Sequence, residues 1–180
     1  RDTVPELTGL AHLGLLRLAF AGMTLGVLAS CAGSPVGQAF RASDDAIYSN
    51  ASFDLSRLQG SWQQSASFAE AAGCKGGVAT FTADASGGVA GEARLCVAGR
   101  MQVWTGPVTR VGPGRFVIGA GEPWWVLWDD ADNRTLVIGT PSGSFGFVLD
   151  RSGDLPGDRW AAARDILEFN GYDLSRLRRD

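Results

Sequence analysis

Histidine is almost missing from this chain. The only one is His12, and an N-terminal cleavage of the kind argued below leaves the mature protein with no imidazole. That excludes a Ser-His-Asp triad, His-ligated zinc and His-ligated haem from the mature domain. Basic charge is not in excess either: 16 Lys and Arg stand against 19 Asp and Glu, for a formal net charge of -3. With a pI near 5.1, the chain carries no footprint for DNA or RNA. The acidic run Asp129, Asp130 and Asp132 lacks the glycine at the sixth place and the later glutamate of a calcium loop, so it reads as a solvated turn. No metal and no cofactor is expected. What the chain has in quantity is glycine, 25 residues, together with six tryptophans. Glycine at that level suits many tight turns and kinked strands, and large aromatics fill the volume that small residues leave. A hydrophobic content of 45% with 19% charged residues argues for a folded domain rather than disorder.

The first segment reads as an address. Arg17 precedes the apolar stretch Leu18 to Val27, too short to span a bilayer and the right length for the apolar core of a signal peptide. A buried helix is the alternative; the abrupt charge at Arg17 and the Gly/Ser/Pro change after Cys31 speak against it. Leu28-Ala29-Ser30-Cys31 resembles a bacterial lipobox, in which a peptidase cuts before a cysteine whose thiol has taken a diacylglycerol. Residues 1–30 are therefore expected to be a lipoprotein signal peptide and Cys31 the lipidated first residue of the mature chain. Two or three acyl chains give stable membrane anchoring where one does not. By the same resemblance, Ala32 rather than Asp after the cysteine implies the outer membrane, with the domain facing the periplasm. Residues 31–52 keep no helical or alternating period and read as a flexible tether, with an r.m.s. span of about 25 Å.

From residue 53 to 180 short alternating segments follow one another. Trp62 to Phe68 alternates, which puts Trp62, Gln64, Ala66 and Phe68 on one face. Gly77 to Thr82, Val89 to Val97, Met101 to Val111, Arg115 to Ile118, Trp124 to Trp128, Thr135 to Thr140 and Ser144 to Arg151 complete about eight strands, joined by Gly-, Asp- and Pro-rich turns. No helix falls between them. That pattern predicts an all-β fold, an eight-stranded up-and-down antiparallel barrel, whose closure removes the sheet edges. A helix comes last, Arg159 to Asn170, with Trp160, Ala163, Ile166 and Leu167 at helical spacing and Gly171 as its stop. It is expected to pack outside the barrel, and Leu177 to Asp180 to form a solvated tail.

Cys74 and Cys96 flank the hairpin turn Asp84–Gly88. A hairpin centred there pairs positions that sum to about 170, so the two can face each other across strands, and an exported protein meets an oxidising compartment. A disulfide closing that loop is expected to stabilise the fold by roughly 3 kcal/mol. Two buried free thiols are the alternative.

Set in order, the motifs resemble those of bacterial outer-membrane lipocalins. Phe53-Asp-Leu-x-x-Leu-x-Gly60-x-Trp62 is similar to the first lipocalin motif, Trp124 to Pro141 to the second, and Phe147-Val-Leu-Asp-Arg151 to the third. Ile166 to Ser175 is similar to the family's helix end, and Gly73-Cys74 with Cys96 to a cysteine-bearing bacterial subset. The resemblance implies that Arg151 lies across Trp62 and, with Gly60, closes the barrel floor, a guanidinium over an indole contributing about 0.5 to 2 kcal/mol. Departures are Gln63, Asn133 and Gly146, each where the family more often has an aromatic.

What the resemblance implies about function is a membrane-anchored protein binding a small apolar or amphipathic ligand, a fatty acid or lysophospholipid, for envelope lipid storage, transport or stress response. The candidate wall residues are Phe68, Phe81, Trp104, Phe116, Trp124, Phe145 and Phe147, with Arg100 and Arg110 placed to meet a headgroup. Core packing or solvated surface is the plain alternative for each of them. A second class of reading is a periplasmic barrel-type protease inhibitor inserting residues 32–52 into its target. A third is an enzyme using the acidic turn, for which nothing else in the sequence speaks, so the protein is read as a binding protein rather than a catalyst. The sequence does not fix an oligomeric state.

Overall fold

The structure, a computed structural model, describes residues 39–180. The expected signal peptide, Cys31 and the start of the expected tether lie outside the described residues.

Turn chemistry divides the domain into strands β1 (Gly60–Phe68), β2 (Gly77–Ala83), β3 (Val89–Val97), β4 (Arg100–Gly112), β5 (Arg115–Ile118), β6 (Trp124–Asp129), β7 (Thr135–Gly139) and β8 (Gly146–Asp150), then helix α1 (Gly157–Phe169) and a short β9 (Leu177–Arg179). The β2–β3 turn shows how the sequence does this. Asp84 accepts hydrogen bonds from the backbone N–H groups of Ser86 and Gly88 and from the Ser86 hydroxyl, so its side chain organises the reversal. Each strand from β2 to β8 pairs antiparallel with the next, and β1 pairs with both β8 and β2. The eight-stranded up-and-down barrel predicted from the alternation is thus closed, with one helix outside it.

The floor is built as the motif residues imply. The Arg151 guanidinium lies 3.6 Å from the centre of the Trp62 ring and donates to the carbonyls of Gln59 and Arg57 at 2.8 and 2.9 Å. Trp62 is fully buried, and its indole N–H donates to Leu58 O at 2.7 Å. Gly60 has a φ of +101°, and a Cβ there would stand 2.8 Å from Arg151 Nη1. Only glycine admits both that backbone angle and that approach. Asn133, in the left-handed region at φ 55°, donates to Arg57 O, so a short amide suits the turn where the family more often has an aromatic.

Two apolar layers result. The lumen holds Trp62, Phe81, Phe116, Trp124, Leu136, Phe147 and Leu149 among others. The outer face of β1, β6, β7 and β8 packs Ala66, Phe68, Leu127, Val137 and Val148 against Ala163 and Leu167 of α1. The helix starts behind Pro156 and ends at Asn170 and Gly171, the latter at φ 79°.

Three expectations are corrected. Trp62 and Phe68 do not share a face: a bulge at Ser65 shifts the pairing from Gln64 opposite Leu149 to Ala66 opposite Val148. The extra residue reverses the alternation, so Phe68 leaves the lumen and packs outside on Phe40 and Tyr172, with ring centres at 5.6 and 5.0 Å. The expected tether ends early: Phe40 and Arg41 are buried, Arg41 makes a β-bridge with Tyr172, and its guanidinium donates to Asn170 O and Pro141 O. Residues 39–52 run along the barrel to Asn50, whose N–H donates to Val126 O at 2.7 Å. Finally, Leu177–Arg179 is a strand on β1, pairing Ala66 to Phe68, and not a solvated tail.

Trp62→Ala is expected to cost about 3–5 kcal/mol, because it opens a cavity in a rigid floor and strands the Arg151 cation; the urea unfolding midpoint measures it, and a midpoint equal to wild type would refute the floor assignment.

Candidate functional site

The two ends of the barrel differ. Arg151, the 3-10 turn Leu55–Leu58 and the turns after β2, β4 and β6 gather at the floor. Loops 69–76, 98–99, 119–123 and 140–145 surround the other end, the mouth.

Six of the seven candidate wall residues come together in the lumen. Trp124 stands at their centre, with ring centres of Phe147 at 4.9 Å, Trp104 at 5.3 Å, Phe116 at 5.6 Å and Phe145 at 6.4 Å. Phe145 stacks on Phe147 at 5.7 Å, and Phe81 meets Phe116 edge-on at 6.3 Å. Gly91 makes room for Phe81, since a Cβ there would approach its ring to 2.9 Å. Edge-to-face pairs of this kind contribute about 0.5–1.5 kcal/mol each beyond the area they bury. Five of the six rings are buried, and Trp104 is half-exposed near the mouth. Phe68, on the outer face, is not part of this group. The rings therefore form a filled apolar column above the floor.

The two arginines separate. Arg100 pairs with the lumen residue Val97 at the mouth end of β3 and β4, and is exposed. Arg110 lies opposite Phe116 at the far end of β4, beside the β4–β5 turn, so it is at the floor and cannot meet a headgroup at the mouth.

Loop 140–145 carries Phe145 and is tied down from three sides. Glu122 accepts from the hydroxyls of Thr140 and Ser144 at 2.5 and 2.7 Å. The Tyr172 hydroxyl donates to Phe145 O at 2.8 Å and accepts from Thr140 N–H at 2.8 Å. Arg41 donates to Pro141 O. Burial pulls the Glu122 pKa up, but hydrogen bonds from Ser142, Thr140 and Ser144 outweigh it and hold the carboxyl below its usual range. Burial pushes the Tyr172 phenol up, so it stays a neutral donor. Sequence reading misses this set. Its only signals are Glu122-Pro123 in front of the Trp pair and the Thr/Ser-rich loop after β7.

The disulfide fastens another mouth loop. Cys74 and Cys96 are bonded, with Cα atoms 5.6 Å apart. The strand register places Gly77 opposite Leu95, two positions off the predicted sum, so Cys74 reaches its partner from the loop rather than from a paired strand. Cys96 is also held by Gln64, whose amide bonds its backbone N–H and carbonyl at 2.7 Å each. The acidic turn is structural. Asp129 pairs with Arg57 at 2.8 Å, and Asp130 accepts from the backbone of Arg134 and Thr135.

One polar atom among the lumen rings stands apart. Trp124 Nε1 is buried and has no hydrogen-bond partner among the described residues.

A family model described as a lipocalin-like domain matches residues 53–180. Among solved structures, insecticyanin from the tobacco hornworm Manduca sexta superposes with a TM-score of 0.55 at 17% identity, over 75% of this chain and 84% of that one. The cockroach major allergen Per a 4 gives a TM-score of 0.55 at 12% identity, over 76% and 94%. Lobster apocrustacyanin A1 gives 0.50 at 14%, over 70% and 78%. At such identities the likeness establishes the fold. No curated protein sequence matches the chain.

Because the folded Glu122 pKa is depressed, its contribution to holding loop 140–145 is present above about pH 4.5 and is lost as pH falls through the folded value. Amide exchange in residues 140–145, relative to the barrel strands, is expected to accelerate at acid pH in wild type and to be faster and nearly pH-independent in Glu122→Ala; equal profiles would refute the tie.

Proposed function

The chain belongs to the lipocalin-like domain family, and from that premise we propose that its lumen takes up a small apolar or amphipathic molecule, a fatty acid or lysophospholipid, through the mouth opposite Arg151. The lipocalin fold generally binds small hydrophobic ligands. The observation that carries the reading is the aromatic column around Trp124, in a barrel sealed at one end and ringed by loops at the other. Such a column is apolar apart from indole N–H groups such as that of Trp124, and one of its rings, Phe145, sits on loop 140–145 outside the strand ladder. Arg100 and, in loop 69–76, Lys75 are exposed cations at the mouth that an anionic headgroup would meet. The chemistry on this reading is binding rather than catalysis, because the acidic turn is spent on Arg57 and on the turn's own backbone.

The same proposal includes a membrane anchor at Cys31 and residence at the periplasmic face of the outer membrane, for envelope lipid storage, transport or stress response. It rests on the lipobox-like Leu28-Ala29-Ser30-Cys31. The chain joins the barrel near the mouth, where Phe40 N–H donates to Gly143 O at 2.7 Å. The stretch between Cys31 and Ala39 would reach at most about 30 Å fully extended, so an anchored protein would hold its mouth near the lipid surface. The protease-inhibitor reading has lost support, because residues 39–52, most of the segment it would insert, are docked on the barrel.

Titration of delipidated protein with long-chain fatty acids and lysophospholipids is expected to give a saturable change in tryptophan fluorescence, since Trp104 and Trp124 both belong to the column. No change with either class would end the ligand proposal.

A further inference from the structure

The unpartnered indole N–H of Trp124 restricts what the ligand can be. Trp124 is fully buried. Its ring neighbours are Phe147, Trp104, Phe116 and Phe145, which offer an N–H at best a weak contact with a π face. The contrast within the same lumen is direct: Trp62, at the floor, donates to Leu58 O at 2.7 Å. A second contrast lies one residue on. Trp125 faces outward, with the Arg115 guanidinium 3.6 Å from its ring centre. Trp124 thus keeps a buried donor without an acceptor among the described residues, in the place where a ligand would sit. Buried polar groups are nearly always hydrogen-bonded, and a departure calls for a cause.

Resting on the ligand-binding reading, we propose that Trp124 Nε1 is the polar anchor of the lumen and that it selects a neutral carbonyl oxygen, that of an acyl ester. An indole N–H only donates, so the ligand must supply the acceptor. That acceptor is uncharged, because the rings around Trp124 provide no cation, and a carboxylate drawn among them would give up its hydration for one neutral donor. An ester carbonyl needs only one donor. Depth agrees. Trp124 begins β6 at the mouth end, so a carbonyl there sends its acyl chain down past Phe116 and Phe147 toward the floor. The polar head then stays at the mouth beside Arg100. Of the ligand classes proposed above, this geometry selects the monoacyl ester lipids over free fatty acids.

The test compares 1-acyl-lysophosphatidylcholine with its 1-O-alkyl analogue of equal chain length, below their micelle concentrations. The two differ by the carbonyl, and an ether oxygen is the poorer acceptor. Wild-type protein is expected to bind the acyl form about tenfold more tightly, and Trp124→Phe to bind both alike. In ¹⁵N-labelled wild type, one indole N–H resonance is expected to move downfield with the acyl ligand and not with the alkyl one, a readout that does not require the variant to fold. A monoacylglycerol is expected to share the acyl advantage, which separates the ester carbonyl from the phosphocholine head as its source. Equal affinities in wild type, an acyl advantage that survives Trp124→Phe, or unmoved indole resonances would overturn the anchor while leaving ligand binding intact. If neither lysolipid nor fatty acid binds, the ligand-binding reading falls and the anchor with it.

Discussion

One strand has to satisfy three neighbours, and the rest of the molecule follows from how it does so. The first half of β1 pairs with β2 and closes the barrel, its second half pairs with β9, and β8 runs along both. A regular strand would keep Trp62 and Phe68 on one face and leave the helix nothing to cover at the far end. The extra residue at Ser65 reverses the alternation, so β1 feeds the lumen at the floor and the helix layer near the mouth. Gln64 repairs the gap that opens where β1 leaves β2, by bonding both backbone groups of Cys96. That bond and the disulfide at the same residue hold the β3 end and loop 69–76 in register.

The floor and the mouth are built from different forces. At the floor, Arg151 stacks on Trp62 and caps carbonyls of the incoming chain, so the cation is desolvated but hydrogen-bonded and the end is fixed. Among the described residues the mouth has no such plug. Its loops are held by side chains that reach in from outside the barrel: Tyr172 from beyond α1, Arg41 from the N-terminal segment, and Glu122 from the neighbouring loop. The sealed end is thus closed by its own motif residues, and the open end is held through its loops. The helix layer contributes to the mouth through Tyr172, which packs on Phe68 while bonding the loop that carries Phe145.

Much of this is readable from the residues. Strand boundaries follow Gly, Asp and Pro clusters, the inward set Phe145, Phe147 and Leu149 follows strict alternation, and Gly60, Trp62 and Arg151 follow a motif order. The failures have physical causes. Nothing in Gln64-Ser65-Ala66 marks a bulge, because the bulge is set by the competing pairings of β1 and not by local propensity, and so alternation alone puts Phe68 on the wrong face. Residues 39–52 carry no periodicity because they form neither helix nor strand, yet Phe40 and Arg41 are buried by partners distant in sequence, Phe68 and Arg176 against Phe40 and Asn170 and Pro141 against Arg41. Leu177 to Arg179 looks like a tail because a three-residue strand has no pattern to read. Arg100 and Arg110 look equivalent in sequence, and only the length of β4 shows that they lie at opposite ends of the barrel.

A filled column of rings admits a guest only if some of the rings can move. Phe116, Phe147 and Phe81 project from strands and are almost fully buried. Phe145 precedes β8 on a loop, and Trp104 is the one ring of the six with an exposed edge. Those two flank Trp124 at 6.4 and 5.3 Å. Displacing them costs aromatic packing of modest size and disturbs no strand pairing at Phe145. The ring that would then be uncovered is Trp124, whose N–H has no partner among the described residues. A guest that pushes aside the rings over Trp124 recovers the hydrogen bond that the closed form leaves unmade, so the ring packing given up on opening is offset at the atom that opening exposes.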